Sequence, residues 1–143
     1  MIRVGPEPIR IEDLVQAVRG DGDGAIALFV GTVRDRHFRR RVVFLEYVAY
    51  VAMAERVLRA IADEAVERHG VSKVAIAHRT GRVDVGEASV VVAVASPHRA
   101  QALEACRVTI DALKNRAPIW KKEHGEAGAA WIEGAGETPG AEG

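Results

Sequence analysis

Lys114, Lys121 and Lys122 bracket a chain break at Ala117-Pro118. Pro118 fixes the backbone as it leaves a helical stretch. A lysine among other cations holds its proton less tightly. The neutral amine then serves as nucleophile or general base. Trp120 beside these lysines offers a flat apolar wall. Two further cationic points stand next to special backbone. Arg34 follows an apolar run that contains Gly31, and His98-Arg99 follow a second apolar run and open a helix. A helix N-terminus offers free N–H groups and the positive end of the dipole, which suits an anion. Together Arg34, His98, Arg99, Lys114 and Lys121 read as a pocket for an anion. Taken singly, each also suits a solvated surface.

Other chemistries find little support. GDGDG at 20–24 lacks the Lys-Ser/Thr of a phosphate-binding loop, and no strand leads directly into a dinucleotide fingerprint. The five histidines are scattered and form no H-x-x-x-H pair, so no metal site is expected. The single Cys106 lies on the apolar stripe of its helix and excludes a disulfide framework. No cofactor is expected.

Length and composition set the frame. The chain has 143 residues, 48% apolar and 28% charged, the balance of one globular domain. No apolar run reaches the ~18 residues of a membrane span, and the first residues carry no apolar signal core. A cytoplasmic protein is expected, with no membrane partner. The formal charge is zero, which argues against coating nucleic acid by bulk charge. Beneath that zero, residues 34–41 carry five arginines against one Asp, and residues 123–143 carry five Glu and no Lys or Arg. A basic body with an acidic end points to an anionic substrate or partner.

Periodicity supplies the elements. Residues 12–19 read as a short helix, 51–69 as a strong one stopped by Gly70, and 98–114 as a third, with Ser96 as N-cap and Pro97 in its first turn. Strands are predicted at 25–33, 42–50, 73–79, 88–96, 119–123 and 129–133. The near-continuous apolar run 88–96 reads as buried on both faces. Gly31 marks a bulge or a close backbone approach, and Gly81 a turn. Residues 134–143 read as a disordered tail on a single domain, 1–133. The class is α+β, with a largely antiparallel sheet.

Four stretches, FVGTVRD (29–35), LEYVAYVAMAE (45–55), AHRTGRVDVGEASVVVAVASPHRAQALEACR (77–107) and DALKNRAPIWKKE (111–123), resemble one family. It is the large, catalytic subunit of molybdopterin synthase, and the likeness runs from about residue 24 to 133. The resemblance implies an α/β hammerhead fold with an additional antiparallel β-sheet. It implies sulfur transfer in molybdenum cofactor biosynthesis, from cyclic pyranopterin monophosphate to the dithiolene molybdopterin. The implied donor is the C-terminal thiocarboxylate of a small ubiquitin-like subunit, within a heterotetramer built on a homodimer of large subunits. Residue by residue, it places the active-site lysines on Lys114 and Lys121, the anion-binding Arg on Arg34, and the His-Arg pair on His98 and Arg99. Arg34, His98 and Arg99 would then hold the substrate phosphate. Lys114 would stand nearest the thiocarboxylate carbon, and Lys121 would bind substrate or help move protons.

Two departures stand out. Arg39-Arg40-Arg41 occupy a loop that usually contains Gly, and Val48 stands where Glu is usual. Two other functions fit the same cations. A sensor of an anionic metabolite would tolerate Arg at 114 or 121, whereas amine chemistry would not. An RNA-binding domain would use residues 34–41, but aromatics are only 5% and leave few platforms for stacking bases.

Overall fold

A computed structural model describes residues 1–126 and 128–132. The expected tail, 134–143, lies outside the described residues. Two sheets organise the chain. The first has four strands in the order β1 (Ile2–Gly5), β5 (Lys73–Arg79), β7 (Ala88–Ser96), β2 (Ala25–Thr32). Only β1 and β5 run parallel. The second orders β3 (Arg36–His37), β4 (Arg40–Ala49), β8 (Ile119–Gly125) and β9 (Gly128–Ile132), with β6 (Gly81–Asp84) also paired to β4.

Helices cover both faces of the first sheet. α2 (Val51–His69) and α3 (Arg99–Arg116) close one face, and α1 (Ile11–Val18) the other. β7 shows how the sequence divides these contacts. Val90, Val92 and Val94 join the large core under α2 and α3, while Val91, Ala93 and Ala95 meet Leu14 and Val18 of α1. Period-2 alternation sends successive side chains to opposite faces, and both faces are buried, as the apolar run predicts.

Boundaries differ from the sequence reading where tertiary contacts decide them. Ser96 does not cap α3: it is the last residue of β7, paired with Ala25. Pro97 lies outside the helix, where its carbonyl accepts the Gly24 N–H, and His98 takes the cap position with no side-chain cap bond. The helix runs on to Arg116 rather than stopping at 114. Ala117 is extended at φ −71°, ψ 133°, as the residue before a proline prefers. Gly70 is the left-handed C-cap of α2 at φ 65°. Gly31 meets both expectations. The register shifts at Gly31/Thr32, and a Cβ there would stand 2.7 Å from Val90 Cγ1. β1 and β6 have no counterpart in the sequence reading.

Candidate functional site

A cavity of about 580 Å³ opens where the second sheet meets the C-terminal end of α3 and the end of β2. Arg34, Lys114 and Lys121 all line it. Each arrives from a different element. Arg34 is delivered just past β2, beyond the Gly31 bulge. Lys114 sits in the last turn of α3, where a cation also meets the negative end of the helix dipole. Lys121 lies on β8, paired with Tyr47 of β4 and Ile132 of β9. Lys121 is buried, Lys114 half-buried and Arg34 exposed.

Strand alternation selects the rest of the wall. Leu45 and Tyr47 face inward from β4, and Lys121 and Glu123 from β8. Trp120 and Lys122 therefore point to the opposite face, which corrects the expected apolar wall beside the lysines. Trp120 stands edge-on to Tyr50 at 5.3 Å, and the Lys122 ammonium lies 5.4 Å from the Trp131 ring centre. Of the departures from the family pattern, Val48 and Arg39 stay outside the cavity, while Arg40 reaches Glu123 on its wall. Val48 is exposed on that outer face, in register with Trp120. Arg39 lies in the turn between β3 and β4, outside the cavity lining.

That turn is strained. Phe38 has φ 62°, a left-handed conformation that costs an L-residue with a bulky side chain roughly 1–2 kcal/mol. A glycine would carry no such cost. Its neighbours are tied down. His37 Nδ1 is 2.6 Å from Glu123 Oε2, and Arg40 Nε is 3.3 Å from the other carboxylate oxygen. An ionised carboxylate only accepts, so Nδ1 carries the hydrogen. The Arg40 guanidinium, 3.0 Å from the same Nδ1, then acts through Glu123 rather than by donating to His37.

His78 of β5 lies behind the cavity wall. Its ring stands edge-on to Tyr47 at 5.0 Å. Nδ1 donates to the Arg79 carbonyl at 2.7 Å. Burial pushes its pKa from 6.5 down to about 4; the Arg79 bond opposes this, and the charges of Lys114 and Lys121 add to it. His78 is thus neutral at pH 7, in the field of both lysines.

His98 and Arg99 stand elsewhere. They are exposed at the N-terminal end of α3, outside the cavity lining. The helix rises by 15 steps from Arg99 to Lys114, about 22 Å at 1.5 Å per residue. One chain therefore brings together three of the five expected groups. Tyr47, Glu123, His37, His78 and Arg36 are additions. Period 2 along β8 could have paired Glu123 with Lys121. Nothing in the sequence places His37 or His78, whose positions depend on sheet register.

Among the described residues, no three His, Cys, Asp or Glu side chains gather as a metal site, and no helix is long and apolar enough to cross a membrane. The cavity can do anion binding and amine chemistry: two lysines and two arginines face Glu123, Asp111 and the ring of Tyr47.

Comparison with known proteins bears on this geometry. The sequence profile described as MoaE protein matches residues 4–116. A molybdopterin synthase catalytic subunit from Oryza sativa subsp. indica is 50% identical over 90% of this chain and 67% of its own. One from Halalkalibacterium halodurans is 43% identical over 92% of this chain and 85% of its own. The crystal structure of molybdopterin synthase from Staphylococcus aureus superposes with a TM-score of 0.87 at 37% identity, covering 90% of this chain and 93% of that one. By its sequence and by its fold, the chain belongs to the MoaE protein family.

Proposed function

We propose that this chain is the catalytic subunit of a molybdopterin synthase. It moves sulfur from the C-terminal thiocarboxylate of a small ubiquitin-like subunit to cyclic pyranopterin monophosphate, yielding the dithiolene of molybdopterin. The observation that carries the reading is the convergence of Arg34, Lys114 and Lys121 on one cavity from three separate elements. Its volume, about 580 Å³, falls within the roughly 300–1,000 Å³ of small-molecule sites.

The roles follow from chemistry. Arg34 offers a planar, permanently charged fork, which suits a phosphate. Lys114, half-buried at the helix end, stands nearest the thiocarboxylate carbon. Its ammonium stabilises the oxyanion that develops when that carbon is attacked, or passes a proton to it. Lys121 binds substrate or assists proton transfer from the buried wall of the cavity. His98 and Arg99 act on the same phosphate from a second copy of the chain. A homodimer of large subunits supplies that copy, and the helix length of about 22 Å between Arg99 and Lys114 supports a contribution across the dimer. The surroundings of this chemistry are the cytoplasm.

The test is reconstitution with the thiocarboxylated small subunit and cyclic pyranopterin monophosphate, read by mass spectrometry of the dithiolene product. The wild-type chain forms product. Lys114→Ala lowers turnover by at least about 10³-fold, within the range of lost proton-transfer and oxyanion groups, with its fold intact by circular dichroism. Wild-type turnover in K114A would remove Lys114 from the chemistry. Full activity of K114R would favour an anion-binding role over amine chemistry.

A further inference from the structure

Arg36 and Lys121 reach the cavity from different strands, and a buried bond joins those strands. β3 comprises only Arg36 and His37, paired with Arg41 and Arg40. Two residues of ladder hold a strand weakly, and the turn beyond it strains at Phe38. Arg34 and Arg36, one before this strand and one on it, both line the cavity. Opposite stands β8 with Lys121, and Glu123 two residues on faces the same way. The His37–Glu123 bond spans from one to the other, and each side chain is only 6% exposed. A carboxylate buried so deeply is stable only with its donors in place, so the contact resists opening. Backbone geometry supplies a reporter: the Val42 N–H donates to the Asp35 carbonyl at 2.8 Å, across the base of this loop.

We propose that His37 is a positioning residue, whose bond to Glu123 holds Arg34 and Arg36 at the distance from Lys121 that an anionic substrate requires. The identity of that substrate rests on the sulfur-transfer reading; the bond and its effect on the loop do not. His37 lines the cavity, and its part is to hold the two arginines in place. Its loss weakens substrate binding and leaves the chemical step alone. An asparagine, whose side-chain N–H₂ can also donate to Glu123, replaces it in part.

The experiment uses the full chain as H37A and H37N, each measured in two ways. The first is hydrogen exchange at the Val42 amide in the chain alone. The second is KM and kcat with the thiocarboxylated small subunit and cyclic pyranopterin monophosphate. In H37A, Val42 exchanges at least about ten-fold faster and KM rises about ten-fold, the effect of one lost charge-assisted bond, while kcat stays within about two-fold. H37N recovers most of both. Should H37A not fold, E123Q carries the exchange test with the same direction. Unchanged Val42 exchange overturns the proposal. So does a fall in kcat at constant KM, or an H37N no better than H37A. If the wild-type chain forms no product, the sulfur-transfer reading fails, and Val42 exchange still decides whether His37 holds the loop.

Discussion

The two ends of α3 differ in what surrounds them. At the C-terminal end, Lys114 follows Leu113, which is 1% exposed in the core, and its ammonium enters a walled cavity. At the N-terminal end, His98 and Arg99 stand exposed. The same helix thus presents a finished half-site at one end and an unfinished one at the other. A group held by packing acts within its own chain. In the proposed reading, the group left exposed on a rigid spacer of about 22 Å serves a site that another chain completes.

Substitutions should separate the ends. The largest effect belongs to Lys114→Ala, the loss of turnover given above with stability near wild type. One residue earlier, Leu113→Ala removes a fully buried side chain and leaves a cavity. It should lower unfolding free energy by about 3 kcal/mol in a urea titration, with kcat per folded molecule little changed. A smaller loss would mean that the C-terminal end of α3 is held less tightly than its burial implies.

Acid probes the same end through His78. Its folded pKa, about 4, lies below the unfolded value of 6.5. The unfolded chain therefore binds the extra proton first. Stability from this group is complete above pH 6.5, falls as pH drops towards 4, and then levels off. The span amounts to about 3 kcal/mol. Urea titrations at several pH values should show this slope, and H78Q should flatten it. Lys114 helps to depress His78, so K114A should raise the His78 pKa in an NMR titration. An unmoved pKa would place Lys114 farther from His78 than the cavity geometry requires. The smallest effect lies at the other end. Arg99→Ala should raise KM by about 10-fold to 100-fold, as loss of one charged hydrogen-bonding group does, with no loss of stability.

What the sequence shows and hides follows the same division. α2, α3 and β7 were legible because their periodicity reflects burial within the element itself. β1 and β6 were not. Ile2–Gly5 is too short to show a period and is a strand only through β5, and GRVD contains strand-poor Gly and Asp and pairs only because β4 lies beside it. The cations were legible by type and by resemblance. Which face each one took was not, since Trp120 and Lys121 differ only by the phase of β8. The His37–Glu123 bond joins residues 37 and 123 across β4, which lies between β3 and β8, and no local pattern encodes it. The separation of Arg99 from Lys114 needed only the helix length, once its ends were known.

The most direct measurement mixes two impaired chains. K114A lacks one of the two cavity lysines and R99A the exposed arginine, and each is assayed alone at substrate levels where R99A turns over poorly. The two are then unfolded together, refolded as mixed dimers and given the small subunit and substrate. If Arg99 serves the partner's cavity, each mixed dimer holds one complete site, and turnover returns to about a quarter of wild type under random pairing. If the mixture is no more active than its components, the two ends of α3 do not meet across a dimer, and the divided site is wrong.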